Sequence, residues 1–196
     1  MKKLISYAVL LQAFIIFFAS GCCTPDPTAS TCAVTLHPQE TNVWCWAACT
    51  QMITEFLGHG RTQCDLANER FGQTNCCDGA CDNKTESCTQ PGWVMFNESG
   101  FNYTAGGATP LTWDTFKDCI SCRHQPTDLI DGPKGGGIGH CRVIYGYVDV
   151  EGTKYLLIKD PWEPCTGNSY VLSYDDYANN TLRDLWTTDH DFVYTR

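Results

Sequence analysis

Length, composition and charge set the first limits on what this chain does. It has 196 residues, with 13 basic and 22 acidic side chains and a formal net charge of −9. This length suits one domain with a hydrophobic core of its own. An acidic chain without a basic run argues against a nucleic-acid-binding protein, so we expect no nucleic acid among its partners.

The first 21 residues are predicted to be an export leader rather than a folded element. Lys2 and Lys3 give it a positive start, and the apolar run 7–18 is too short for a comfortable membrane span. Small residues at 19–21 then precede Cys22, which resembles a bacterial lipobox with a lipid on this cysteine. An ordinary secretory signal cleaved nearby is the alternative. The lipobox predicts an exported lipoprotein, anchored to a membrane and facing the periplasm or the cell exterior.

Residues 22–38 contain Pro, Thr and Ser without periodicity, and they are predicted to tether the anchor to the domain. The domain itself is then expected over residues 39–196. Asn42 is the predicted N-cap of a helix over 43–57, which Gly58 ends. The apolar residues along this helix indicate that it is buried under a sheet.

The rest of the chain divides into a loop-rich middle and a strand-rich end. Helices are predicted over 61–71 and 111–122, around a segment rich in Gly, Asn and Cys that disulfides would hold. Beyond residue 135 the β-branched and aromatic residues predict strands, with a hairpin turn at Glu151-Gly152-Thr153 between the first two. These strands cover residues 140–147, 154–158, 169–174 and 192–194. A helical front and an antiparallel back give an α+β fold class.

Cysteine is unusually frequent, with 14 residues. Setting aside Cys22 for lipid and Cys45 for chemistry leaves twelve, and an even number in an exported chain indicates a disulfide framework. The neighbours Cys76 and Cys77 are expected to bond elsewhere, because a bond between adjacent residues is strained. Zinc is the alternative, since the cysteines between residues 64 and 88 and the pair Cys119-x-x-Cys122 have ligand-like spacing. Export favours disulfides, although the sequence does not give the pairing.

Cys45 is the candidate nucleophile. It lies near the predicted start of a helix, where free N–H groups and the positive dipole end favour a thiolate. The alternative is one more half-cystine, but Trp44 and Trp46 on either side and Gln39 upstream favour the catalytic interpretation. Cys49, one helical turn later, is the second candidate thiol, and we expect it to be buried or bridged.

His140 and Asp160 are the candidate partners of this thiol. Of the five histidines, His140 alone begins an apolar strand-like run after small residues. Asp160 ends a predicted strand before Pro161, where a carboxylate can hold the imidazole and fix its tautomer. The amide of Gln39 can donate to an oxyanion together with the backbone N–H of Cys45. The alternatives are a solvent-facing histidine, an Asp-Pro turn and a solvated glutamine.

Three segments, taken in order, resemble the papain-like cysteine peptidases: Gln39-x5-Cys45-Trp46-Ala47, then His140, then Asp160-Pro-Trp. The acid at Asp160 makes the chain most similar to the bacteriocin-processing, double-glycine-type peptidases. The resemblance implies two lobes, with Cys45 on a central helix, His140 and Asp160 on a β lobe, and a cleft between them. It also implies hydrolysis of a peptide or protein substrate through a thioester, without a metal or other cofactor, and we expect a monomer.

Three other functions use parts of the same pattern. An amidohydrolase or a transglutaminase-type acyl transferase would use the same Cys-His-Asp set. A papain-like fold without activity would serve as a binding module, and a Cys-rich zinc module would need no triad at all.

Two structural expectations accompany the peptidase interpretation. Cys141 should be a structural half-cystine on the strand face opposite His140, and the segment 58–110 should line or partly cover the cleft.

Overall fold

A computed structural model describes residues 23–106, 109–133, 139–179, 185–189 and 191–195, the last two ranges as backbone only. The predicted leader and the lipidation site Cys22 lie outside the described residues. Among those that are described, no helix has the length and apolar character needed to cross a membrane.

The chain forms four α-helices and eight strands within the described ranges. The helices are α1 Cys45–Phe56, α2 Gln63–Phe71, α3 Trp113–Lys117, which runs on into a π-helical turn at Asp118–Cys122, and α4 Tyr174–Ala178. The strands are β1 Ala29–Thr31, β2 Phe101–Ala105, β3 Thr127–Pro133, β4 His140–Val150, β5 Thr153–Asp160, β6 Asn168–Ser173, β7 Leu185–Asp189 and β8 Asp191–Thr195.

One antiparallel sheet organises the second half of the molecule. Its strands follow the order β2-β8-β3-β4-β5-β6, with β1 pairing with β4 and β7 pairing with β3. The predicted turn between β4 and β5 is present, with positive φ at both Glu151 and Gly152, as a two-residue hairpin of type I′ requires. The predicted α+β class is therefore confirmed, while β1, β2, β3 and β7 were not predicted.

Helix α1 lies between two hydrophobic cores. On one side Met52 and Ile53 join the apolar residues of the sheet, and on the other Trp46 and Ala47 join those of α2 and the disulfide-rich segment. Because nearly the whole helix is buried, its hydroxyls need internal partners, and Thr50 donates to the carbonyl of Trp46 over 2.8 Å. The two cores correspond to the two lobes that the papain-like resemblance implies.

The start of α1 differs from the prediction. The helix begins at Cys45, and the residue before it, Trp44, makes no side-chain cap hydrogen bond, so Asn42 is not the cap. The indole N–H of Trp44 donates instead to the carbonyl of Cys88 over 2.9 Å, and the backbone N–H of Trp44 donates to the carbonyl of Thr41. These contacts hold the entry turn without a capping side chain, and Cys45 becomes the first residue of the helix.

The predicted tether is also wrong from Cys23 onward. Cys23 forms a disulfide with Cys122, and β1 pairs with β4. Cys32 is buried, and the hydroxyl of Tyr147 donates to the carbonyl of Asp26 over 2.6 Å. Apolar contacts and backbone pairing therefore place this segment on the domain.

Eight cysteines form four disulfides in the described residues: Cys23–Cys122, Cys64–Cys77, Cys76–Cys88 and Cys81–Cys165. Cys76 and Cys77 thus bond elsewhere, as predicted. Every cysteine of the 64–88 cluster is used in a disulfide, which favours the disulfide interpretation of that cluster over zinc. Of the twelve cysteines that the count left for bridging, eight are bonded and four, Cys32, Cys49, Cys119 and Cys141, are unpaired in the structure, as is Cys45. Cys49 is buried, which its own expectation of being buried or bridged allows.

Candidate active site

The ends of three elements bring the predicted triad together. Cys45 is the first residue of α1, His140 the first of β4 and Asp160 the last of β5. Because β4 and β5 are antiparallel neighbours, the start of one lies beside the end of the other. Helix α1 packs against β4, so Cys45 reaches the same edge of the sheet.

Asp160 fixes the orientation of the imidazole. Its Oδ1 lies 2.6 Å from Nε2 of His140 and also accepts a 2.9 Å hydrogen bond from the backbone N–H of Trp162. With Nε2 engaged by the carboxylate, Nδ1 is the ring nitrogen left for Cys45, which lines the same cavity and helps to raise the pKa of His140. The carboxylate therefore selects the tautomer that can accept a proton from the thiol.

The contact between His140 and Asp160 shifts both pKa values in the direction that favours the charged forms. Burial lowers the pKa of His140, but the hydrogen bonds to Asp160 and Cys45 outweigh burial and raise this pKa to about 9. Burial likewise raises the pKa of Asp160, but the hydrogen bond and the charge of His140 hold it below its ordinary value. At neutral pH the site therefore favours an imidazolium beside a carboxylate.

Arg142 and Tyr170, which no sequence motif indicates, support Asp160 through its second carboxylate oxygen. The Arg142 guanidinium donates to the Tyr170 hydroxyl over 2.9 Å, and that hydroxyl donates to Oδ2 of Asp160 over 3.4 Å. Arg142 also forms a buried ion pair with Asp131. Because side chains alternate along a strand, the sequence could have placed Arg142 on the same face as His140, which lies two residues before it. The contact of Tyr170 with Asp160 depends instead on how β5 and β6 pair.

Gln39 is buried beside the start of α1. Its side-chain Nε2 donates to the carbonyl of Thr41 over 2.6 Å, and Thr41 belongs to the entry turn of the helix. Its backbone N–H donates to the carbonyl of Pro161, and its carbonyl accepts from the N–H of Cys165. Gln39 is thus held between the entry turn of α1, through its side chain, and the loop that follows Asp160, through its backbone.

A cavity of about 290 Å³ opens beside the thiol and the imidazole. Residues 91–94 form one wall, and Ile130 together with residues 139–141 forms the other. The lining is mainly apolar, and Trp93 on the rim is 47% exposed. As predicted, the disulfide-held segment therefore lines the cleft.

The loop wall needs a glycine at position 92. A Cβ atom on Gly92 would lie 2.5 Å from Cε2 of Trp46, closer than packed carbon atoms come. The absence of a side chain lets the loop pack directly on Trp46, the residue that follows Cys45.

Cys49 and Cys141 also lie near the site but differ from Cys45. Cys49 is completely buried, and burial raises the pKa of its thiol to about 11. It does not line the cavity, so it offers no accessible thiolate. Cys141 was predicted to be a half-cystine on the far side of the strand, but it is an unpaired thiol that lines the cavity and hydrogen-bonds to Cys49.

Solved structures with similar folds include one from work on mite allergens and two digestive procathepsins. One, from work on the mite allergens Blo t 1 and Der p 1, has a TM-score of 0.52 at 10% identity, over 89% of this chain and 73% of that chain. Digestive procathepsin L 3 of Tenebrio molitor larval midgut has a TM-score of 0.50 at 12% identity, over 87% and 70%. Procathepsin L2 from the same source has a TM-score of 0.50 at 13% identity, over 85% and 68%. At these identities the likeness shows the fold alone.

Sequence comparison identifies the family. No curated protein sequence matches the chain. The family described as papain-like cysteine protease AvrRpt2 matches residues 28–180, which is more than half of the chain. The chain therefore belongs to this family of papain-like cysteine proteases, as the motifs around Cys45 and Asp160 predicted.

Proposed function

We propose that this cysteine protease cleaves peptide bonds through a triad of Cys45, His140 and Asp160, outside the cytoplasm. The observation that supports the triad best is the 2.6 Å contact between Nε2 of His140 and the carboxylate of Asp160, with Cys45 and His140 lining the same cavity. A thiol, a base and an orienting acid in contact are the parts that acyl transfer requires.

The reaction starts from the thiolate–imidazolium pair that forms when the Cys45 thiol transfers its proton to Nδ1 of His140. The thiolate attacks the carbonyl carbon of the scissile bond, and the oxygen becomes an oxyanion. The backbone N–H of Cys45, in the first turn of α1, and the second amide hydrogen of Gln39 stabilise this charge. His140 then protonates the departing amine and leaves a thioester on Cys45. Water, deprotonated by His140, hydrolyses the thioester and regenerates the thiol.

The cavity suggests what the substrate carries beside the scissile bond. Its walls are mainly apolar and it adjoins both Cys45 and His140. We infer that an apolar side chain of the peptide enters it, because burying apolar surface there is favourable and a charged group would lose its hydration without a partner.

Export and anchoring are part of the same proposal. Four disulfides favour an oxidising compartment. If Cys22 carries a lipid, the disulfide at the adjacent Cys23 leaves almost no free chain between anchor and domain. The active site would then act close to the membrane surface. Cys22→Ala should release the protein from membranes, and retention in the membrane fraction would contradict the anchor.

An active-site label tests the triad directly. The purified protein is treated with a peptidyl epoxide, and the adduct is mapped by mass spectrometry after digestion. We expect one adduct on Cys45, none in Cys45→Ala, and an unchanged adduct in the matched control Cys49→Ala. Labelling that persists in Cys45→Ala would place the nucleophile elsewhere.

Hydrolysis separates the peptidase from the other uses of this triad. Two fluorogenic peptides are compared, one with Leu and the other with Glu beside the scissile bond. We expect the Leu peptide to be cleaved faster. Transfer of the acyl group to an added amine without hydrolysis would indicate an acyl transferase, and cleavage of peptidoglycan stem peptides alone an amidohydrolase. An epoxide adduct without turnover of any of these substrates would contradict the proposed peptidase.

A further inference from the structure

Two buried thiols that the proposed mechanism does not use meet behind the catalytic pair. Cys49 lies one helical turn after Cys45 on α1, and Cys141 directly follows His140 on β4. Cys49 and Cys141 are 0% and 3% exposed, and both belong to the core that joins α1 to the sheet. Their thiols lie close enough for each to shift the pKa of the other.

We propose that Cys49 and Cys141 are an oxidisable pair that forms a further disulfide between α1 and β4. Contact between the thiols and the direct packing of α1 on β4 supply the proximity that such a bond needs. The four disulfides already present indicate that the protein folds where disulfide oxidants are available.

The oxidant is a disulfide RSSR of the glutathione or protein-dithiol class. One cysteine loses its proton, attacks a sulfur of RSSR and displaces RS⁻, which leaves a mixed disulfide. The second cysteine loses its proton, attacks the protein sulfur of that mixed disulfide and displaces the second RS⁻. The two cysteine sulfurs give up two electrons, RSSR gains them, and the two released protons convert the products into two RSH.

Burial determines when this exchange takes place. The attacking group is a thiolate, and burial raises the pKa of both thiols, to about 11 for Cys49. A folded core therefore supplies little thiolate, and although Cys141 borders the cavity, only 3% of it is exposed to a bulky oxidant. The bond forms while the core is still open, and after folding the same burial protects it from reductants.

The Cys49–Cys141 disulfide would stabilise the arrangement of Cys45 and His140 without contributing a reacting group. It joins the helix that carries Cys45 to the strand that carries His140, one turn and one residue away from the reacting atoms. Cys45 remains a free thiol, because its side chain is engaged by His140. Cys45 is nevertheless close enough for its charge to act on Cys49 and Cys141, so a bond between Cys45 and Cys141 is the competing pairing.

Non-reducing peptide mapping decides between these pairings. The reduced, unfolded full chain is refolded in a buffer of oxidised and reduced glutathione, free thiols are alkylated, and the protein is digested with chymotrypsin. Cleavage after Trp46 separates Cys45 from Cys49, and cleavage after Leu129 and Tyr145 isolates Cys141. We expect the Cys49 fragment linked to the Cys141 fragment, with Cys45 alkylated. Alkylation of both Cys49 and Cys141, or a link from either one to any other cysteine, would overturn the proposal.

A mutant cycle gives a second, independent test. Urea unfolding of the oxidised protein is measured for Cys49→Ala, for Cys141→Ala and for the double variant. A shared bond predicts that the three midpoints fall by similar amounts, because the first substitution already removes it. Additive shifts would indicate two separate packing residues and would contradict the bond. Cys32→Ala, another buried unpaired cysteine of the same core, should leave the Cys49–Cys141 link intact. Neither test depends on peptidase activity.

Discussion

Arg142 donates a 2.9 Å hydrogen bond to the hydroxyl of Tyr170, and that hydroxyl donates in turn to the acid of the proposed triad. The Arg142 guanidinium is held on its other side by the buried carboxylate of Asp131. Asp160 is therefore oriented from two directions, by His140 on Oδ1 and by Tyr170 on Oδ2. Strands β3, β5 and β6 each contribute one member to this chain of contacts, and β4 contributes two, His140 and Arg142.

Tyr170→Phe tests whether this support matters for catalysis. The variant removes the hydrogen bond to Asp160 and the acceptor of Arg142, at a cost of about 1 kcal/mol in orientation of the carboxylate. We expect kcat/KM to fall about 5-fold, with the effect mainly on kcat. Tyr155→Phe, at the other end of β5, is the matched control. Equal activity of the two variants would show that Asp160 needs no support from Tyr170.

The pH dependence of activity should report the raised pKa of His140. The pKa of about 9 comes from the hydrogen bonds to Asp160 and Cys45, which outweigh burial. The imidazolium that protonates the leaving amine is lost as the pH rises through this value, so the alkaline limb of kcat/KM should lie near pH 9.

Asp160→Asn should move this alkaline limb to lower pH, because it removes a negative partner of the imidazolium. Activity should fall less than in His140→Ala, since an amide can still accept from Nε2 and orient the ring, as papain itself uses an amide at this position. A pH profile of each variant checks both points. An Asp160→Asn enzyme as inactive as His140→Ala would mean that the charge, and not the orientation, is required.

The same pKa shifts predict how stability depends on pH. The folded-state pKa of His140 lies above its ordinary value of 6.5. The contribution of His140 to the unfolding free energy is therefore complete below pH 6.5 and is lost as the pH rises through about 9. The pKa of Asp160 is lowered, so its contribution is present above its unfolded pKa and is lost in acid. The unfolding free energy of wild type minus that of His140→Ala should therefore decrease between neutral and alkaline pH. A difference that stays constant with pH would contradict the shifted pKa.

Sequence motifs predicted the three groups of the proposed triad but not the residues that hold them in place. Cys45, His140 and Asp160 were identified because each occupies a local pattern: the start of a helix, a strand after glycines, and an Asp-Pro-Trp turn. Tyr170 and Arg142 carry no such pattern, because their roles come from pairing between strands that are distant in the chain. The missed β1 has the same cause, since its three residues become a strand only by pairing with β4.

For a related reason, the sequence does not determine which cysteines form disulfides with each other. An even count shows that bonds can form, but the pairs depend on which segments the fold places together. Cys81 and Cys165 meet because the disulfide-rich segment and the loop after Asp160 flank Gln39. Similarly, Asn42 was predicted as a cap from its residue type alone, whereas burial of Trp44 decides where α1 begins.

Gly92→Ala should disturb the cleft through Trp46. The new methyl group would lie 2.5 Å from Cε2 and 2.7 Å from Nε1 of the indole, so the loop must move away at a cost of about 1–3 kcal/mol. We expect a lower melting temperature and a raised KM. Trp46→Phe removes the indole nitrogen, which has no partner among the described residues, and the double variant should recover part of the loss. A cycle without this coupling would show that the loop does not rest on Trp46.

The Cys81–Cys165 disulfide should stabilise the protein more than Cys64–Cys77. It spans 84 residues of sequence against 13, and in the chain-entropy model a longer loop restricts the unfolded chain more, by about 4.5 against about 3 kcal/mol. It also fixes the segment around Gln39, whose carbonyl accepts from the N–H of Cys165. Replacing each pair by alanines and measuring urea unfolding and kcat separates the two contributions. We expect Cys81→Ala/Cys165→Ala to lose more stability and to lower kcat, and Cys64→Ala/Cys77→Ala to lose stability with kcat unchanged. A larger stability loss in the Cys64–Cys77 variant would mean that native packing around that pair outweighs the difference in loop length.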